Sequence, residues 1–242
     1  VNDPAHGDAD PPVAVFDLDD TLCRGDSFVR LLRVLLLRGR CRAAVALVSA
    51  PVSVPLFRWP PTCRRALRAL VWLATVGVPP ERFEDLVREF AAGHGRGRIE
   101  VTMQRLREHR ERGDRIVVVT ACYDPLATAV CRELGLESVE VVAGELSRGR
   151  LAYRLVNGCF GEAKVRRLRE AGIPLPVAFA YTDSASDLPL LTLAGTRVLI
   201  DPSPSTVARV RAALGDGFSV LRSVPEPESP SITPGSGSAE RY

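Results

Sequence analysis

Lysine is nearly absent from this chain: of 32 basic residues, 31 are arginine and a single one, Lys164, is lysine. A planar guanidinium serves surface charge well but cannot replace a compact ammonium in a crowded site, so the lone lysine is a candidate for such a place. Aromatic residues are also scarce, at 6%, and the net charge is only +3. Few base-stacking platforms and a weak positive balance argue against nucleic acid as a partner. None of the six cysteines stands in a CxxC pair or beside a histidine in the sequence. Neither a zinc site nor a disulfide framework is therefore expected, and a reducing, cytoplasmic setting fits. No uncharged stretch reaches the roughly 18 residues needed to span a bilayer; the longest apolar run, 43–57, is broken by Pro51 and Pro55. The first twelve residues lack the basic-then-apolar pattern of a secretion signal.

What is present is an ordinary globular composition, 46% hydrophobic and 25% charged, with length enough for one large core and an inserted subdomain. Residues 1–11 and 224–242 read as a polar leader and a Pro/Ser/Gly-rich tail without chemistry. Between them, the short apolar runs 13–16, 115–120, 177–181 and 197–200 have the texture of buried parallel strands. Helical patterns at 125–134, 162–171, 188–193 and 205–213 alternate with them. This predicts an α/β fold, a doubly wound parallel sheet built from 12–24 and 113–223, with a mainly helical insertion over 25–112.

In such sheets ligands gather beyond the carboxyl ends of the strands, and the reactive residue types lie there. Asp17 and Asp19 follow the first run, Thr120 ends the second, and Asp183 and Asp187 follow the third. One carboxylate can attack a phosphate ester and divide its hydrolysis into two steps. A second can protonate the leaving oxygen and later deprotonate water, provided the two pKa values are driven apart. A phosphate dianion near aspartates needs a hard cation, and Mg2+ is the expected cofactor, with Asp183 as a further ligand. Thr120 can donate to a phosphoryl oxygen, and Lys164, at the start of a helix, can neutralise nucleophile and phosphate together. Taken singly, each residue has a plainer reading. Paired aspartates cap helices and form turns, a strand-end threonine is common, and Asp187 can serve as an N-cap. Cys122 reads as a buried structural thiol, and His94 and His109 are expected to stand outside the chemistry.

The ordered series FDLDDTL, VVVTAC, GEAK and YTDSASD resembles the haloacid dehalogenase-like hydrolases over nearly all of 13–222. The stretch GELSRGRLAYRLVNGCFGEAKVRRL is similar to the hairpin and lysine helix of their phosphoserine phosphatase-like branch (subfamily IB). The resemblance implies a Rossmann-like core with a helical cap and an aspartyl-phosphate intermediate. It implies Asp17 as nucleophile and Asp19 as acid and base, with Mg2+ on Asp17, the Asp19 carbonyl and Asp183. By the same resemblance Thr120 and Lys164 bind phosphate and Asp187 supports the metal. Asp20 stands where many relatives have glycine and is given no role.

From residue 28 to 78 there are nine arginines and no Asp, Glu or Lys, interleaved with apolar stretches. Apolar faces edged by arginine suit an anionic membrane surface, as do Trp59 and Trp72, and they equally suit helices packed on one another. The favoured expectation is a phosphatase for a lipid phosphate monoester resembling phosphatidylglycerophosphate, peripheral on the inner face of the membrane. The alternatives are a phosphatase for a small metabolite such as phosphoserine, a transferase sharing the same residues, and a non-catalytic membrane-associated scaffold.

Overall fold

The structure, a computed structural model, describes residues 10–56 and 60–223. The expected tail, nearly all of the expected leader, and Trp59 lie outside the described residues. A seven-stranded sheet has the order β4-β3-β2-β1-β5-β6-β7. Its strands are β1 (Val13–Phe16), β2 (Arg115–Asp124), β3 (Glu140–Arg148), β4 (Tyr153–Leu155), β5 (Val177–Thr182), β6 (Ala194–Ile200) and β7 (Ser219–Leu221). All neighbours pair in parallel except β3 with β4. The four expected strands are β1, β2, β5 and β6. The hairpin opens from a full parallel strand, β3, and β7 is too short and exposed to have an apolar signature.

Alternation along β1 shows why the sheet needs two covering layers. Ala14 and Phe16 enter one apolar cluster, and Val13 and Val15 enter another on the opposite face. The second is closed by α7 (Glu162–Glu170), α8 (Leu188–Thr192) and α9 (Pro204–Leu214). The first is closed by α6 (Leu126–Glu133) and by the insertion between β1 and β2.

That insertion contains α1 (Ser27–Arg38), α2 (Arg40–Leu56), α3 (Pro60–Thr75), α4 (Pro80–His94) and α5 (Glu100–Glu111). Along α1, Phe28, Leu31, Leu32 and Leu35 form one buried stripe at helical spacing, and Asp26 caps its first turn by accepting from the Val29 N–H at 2.8 Å. The stripe joins the same apolar cluster as Phe16 and Val118, so the insertion packs continuously onto the sheet. Helix α4 lies against α6, and α5 lies directly against β2, where buried His109 bonds the Tyr181 hydroxyl at 2.8 Å and Asp114 at 2.7 Å. His109 is thereby committed to a structural network. Among the described residues no helix is long and apolar enough to cross a membrane.

Candidate active site

β1 lies between β2 and β5, where the winding of the sheet reverses, and the loops beyond these strands open a crevice. The Asp17 N–H extends the β1–β5 ladder by donating to the Tyr181 carbonyl at 2.9 Å. The chain then turns sharply. The N–H groups of Leu22 and Cys23 both converge on the Leu18 carbonyl, at 2.9 and 3.1 Å, and Asp20 takes a left-handed φ of 54°. Aspartate tolerates that conformation better than most side chains, and its carboxylate accepts from the Gly25 N–H at 2.5 Å. Asp20 thus acquires a role in the turn that re-aims Asp19.

Asp17 accepts at Oδ1 from its neighbour's Leu18 N–H at 2.8 Å and is 2.9 Å from the Lys164 ammonium. Lys164, in the first turn of α7, is 2% exposed and also donates to Asp187 Oδ2 at 2.7 Å. Thr182 donates to that same oxygen at 2.7 Å. The sole lysine of the chain therefore bridges two buried carboxylates, one from the end of β1 and one from the turn after β5. Burial pushes the Asp17 carboxyl up, Lys164 pulls it back, and Asp187 and Asp183 push it up again. Asp183, half-buried, is raised to about 6 by burial and then by Asp20.

Fully ionised, three carboxylates against one ammonium carry an excess of two negative charges in a low-dielectric pocket, which is what opposes their ionisation, and Asp187 Oδ1 is buried without a partner. An all-oxygen donor set with that charge fits a hard divalent cation and its bound water. Thr120 is fully buried at an irregularity in β2, where the pairing with β3 slips between Val119 and Tyr123. Its Oγ1 accepts from the Cys122 N–H at 3.0 Å, which leaves the hydroxyl proton for an external acceptor.

Asp19 faces the other side of the crevice. Its carboxylate accepts from the Ser27 N–H at 3.1 Å and the Ser27 hydroxyl at 3.0 Å, and lines a cleft of about 380 Å3 with Asp26, Phe28, Arg68, Asn157 and Arg166 among the walls. Ser27 lies outside every motif. Its only sequence signal is its place after the Asp26 N-cap. Cys122 is buried and its sulfur lies 3.2 Å from the Ser27 hydroxyl oxygen. Cys23, Cys41, Cys122, Cys131 and Cys159 all carry free thiols.

Burial raises the Asp19 carboxyl to about 7, against the opposing hydrogen bonds from Ser27. An acid whose folded-state pKa lies above its ordinary 3.8 costs stability as pH rises, because the unfolded chain releases the proton first. In chelator, the stability of Asp19→Asn relative to wild type should rise between about pH 4 and pH 7, by on the order of 4 kcal/mol, and then level off. Urea denaturation across that range checks it, and a difference independent of pH refutes it.

The comparisons agree with this architecture. The family model described as haloacid dehalogenase-like hydrolase matches residues 14–192. The phosphoserine phosphatase SerB1 of Mycobacterium tuberculosis is 29% identical over 231 residues, covering 86% of this chain and 71% of that protein. A solved protein of unknown function from Bordetella pertussis Tohama I aligns with a TM-score of 0.69 at 22% identity, covering 88% of this chain and 98% of its own. A structure described as a phospho-aspartyl intermediate analogue of phosphoserine phosphatase aligns with a TM-score of 0.53 at 19% identity, covering 87% and 93%. At these identities the structural likeness speaks for the fold.

Proposed function

The chain belongs to the haloacid dehalogenase-like hydrolases, and on that premise we propose that it is a phosphatase that hydrolyses a small phosphate monoester through a phosphorylated Asp17. The observation that carries this reading is the buried Asp17–Lys164–Asp187 chain at the mouth of the sheet. A nucleophilic carboxylate is held there beside the single ammonium able to compensate both it and an incoming phosphoryl group.

In the first step Asp17 attacks phosphorus, the ester P–O bond breaks, and the leaving oxygen takes the proton from Asp19. In the second, Asp19 accepts a proton from water as the water oxygen attacks the phosphoaspartate, releasing inorganic phosphate and restoring Asp17. Thr120 and Lys164 donate to the phosphoryl oxygens, and the helix start at Lys164 adds its partial positive charge. Mg2+ would be held by Asp17, the Asp19 carbonyl and Asp183, with Asp187 supporting its water, and would supply charge neutralisation of the phosphoryl group. The insertion over the cleft excludes bulk water from the phosphoaspartate, as a cap does.

The substrate reading is a zwitterionic metabolite of the phosphoserine kind. Its support is the cleft's size, adequate for a small molecule, and its walls, which set the acidic Asp26 against the basic Arg68. The name of the Mycobacterium tuberculosis relative points the same way. The lipid reading rested on arginines of the insertion, and three of these are engaged within the protein. Arg38 forms a two-pronged pair with Glu89 at 2.6 and 3.0 Å. Arg42 reaches the Ala74 and Val76 carbonyls at 3.3 Å, and Arg30 reaches the Arg24 carbonyl at 3.1 Å.

Asp26→Asn keeps a good helix cap while removing the charge. It should raise KM for phosphoserine about 10- to 100-fold with kcat little changed, as should Arg68→Gln, since each removes one charge-assisted contact. Steady-state assays against phosphoserine, glycerol phosphate, lysophosphatidate and phosphatidylglycerophosphate test this. Preference for the lipid esters, with both variants behaving as wild type, would sink the zwitterion reading.

A further inference from the structure

Beside Asp19 the fold assembles a second group of potential ligands. Cys23 follows the turn after β1, and His94 ends α4, 71 residues later. Cys23 Sγ and His94 Nε2 are 3.5 Å apart, and His94 Nε2 is 3.9 Å from Asp19 Oδ1. All three ligand atoms lie within 4.8 Å of one another. We propose that Asp19, Cys23 and His94 form a site for a thiophilic divalent cation of the zinc class, whose binding withdraws the Asp19 carboxylate and reversibly stops turnover.

The geometry fits that ion. Bond lengths of about 2.3 Å to sulfur and 2.0–2.2 Å to nitrogen and oxygen, in a tetrahedron, set ligand atoms roughly 3.3–3.6 Å apart. The sulfur–nitrogen pair already meets this, and the carboxylate closes the triangle by a small movement from Ser27. The imidazole is stacked on Phe90, with centroids 5.3 Å apart, and the Gly25 backbone favours its protonated form. Fixing a ligand ring from outside in this way is a recurrent feature of metal sites. Cys23 is fully buried and His94 is 7% exposed. Asp19 opens on the substrate cleft and His94 on a separate cavity beside Arg30, Phe90 and Gly93, so a cation has a way in and a fourth position for water. Burial holds the Cys23 thiol protonated. Coordination must displace that proton, which zinc-class ions do and Mg2+ does not, so the two cation classes are sorted between the two sites.

The binding claim stands on geometry alone, whereas the effect on turnover rests on Asp19 being the proton donor. The full chain, saturated with Mg2+, is titrated with Co2+ as the spectroscopic probe. One equivalent should produce the thiolate-to-cobalt charge-transfer band and the intense visible bands of a tetrahedral site, both displaced by Zn2+. The charge-transfer band should vanish in Cys23→Ser, and affinity should fall at least tenfold in His94→Gln, while Cys41→Ser, which alters an exposed thiol, behaves as wild type. Zn2+ should inhibit wild type, with chelator restoring activity, and Cys23→Ser should need at least tenfold more Zn2+ for the same loss. The site is overturned if wild type gives no thiolate band, or if the band survives in Cys23→Ser. Loss of the band in Cys23→Ser together with unimpeded turnover of zinc-loaded wild type keeps the site and removes Asp19 from its proton-transfer role.

Discussion

Asp17→Asn should lower kcat by at least about 10^4-fold while the protein remains folded. The amide oxygen is too weak a nucleophile to form the phosphoaspartate, and the variant retains every group that binds phosphate. It also relieves a buried carboxyl whose ionisation is opposed by desolvation and by two neighbouring aspartates. Lys164 keeps its bond to Asp187, so no orphan charge is created. The variant should unfold at a urea concentration equal to or above that of wild type and should still bind inorganic phosphate. Residual activity above about 1% of wild type, from a preparation free of wild-type enzyme, would contradict Asp17 as the nucleophile.

The other large effect belongs to Lys164. Lys164→Ala leaves Asp17 and Asp187 buried without a counter-charge, and breaking a buried pair in this way costs about 3–5 kcal/mol. Lys164→Arg should not rescue it, because the site is sealed around a compact ammonium held at 2.9 and 2.7 Å from two carboxylates, one just beyond β1 and one in the turn after β5, and a planar fork matches neither its volume nor its directions. The double variant Lys164→Met with Asp187→Asn, which removes charge of both signs, should recover much of the stability lost in Lys164→Ala and none of the activity. Urea denaturation with parallel phosphate-release assays separates the two effects. An arginine variant as stable and as active as wild type would show that the single lysine in an arginine-rich chain is incidental.

Much of this site was legible because its members sit at strand ends in short motifs. Asp17 and Asp19 follow β1, Thr120 lies in β2, and Asp183 and Asp187 follow β5, so the parallel topology alone gathers them at one edge. Lys164 stands out by composition alone, as the one lysine among 31 arginines. The contacts that escaped are those made across long stretches of chain. Ser27 on Asp19 depends on how α1 starts, and His94 reaches Cys23 only because α4 packs against α6. Likewise β3 and β7 have mixed or exposed side chains that carry no alternation. The arginines of the insertion are ambiguous in sequence for a related reason. Charge at the edge of an apolar face looks the same in sequence whether it meets lipid or, as Arg38 does, a glutamate 51 residues away.

A phosphoryl group that passes through Asp17 can be trapped there. Wild-type enzyme turning over phosphoserine or an aryl phosphate with Mg2+ is quenched in acid, digested and examined by mass spectrometry. An HPO3 adduct is expected on the peptide bearing Asp17, at Asp17 itself, absent from Asp17→Asn, and enriched in Asp19→Asn with the aryl phosphate, whose leaving group needs no proton from Asp19 while the hydrolysis step still does. An adduct on another residue, or full turnover with no adduct in wild type or Asp19→Asn, would contradict transfer through Asp17.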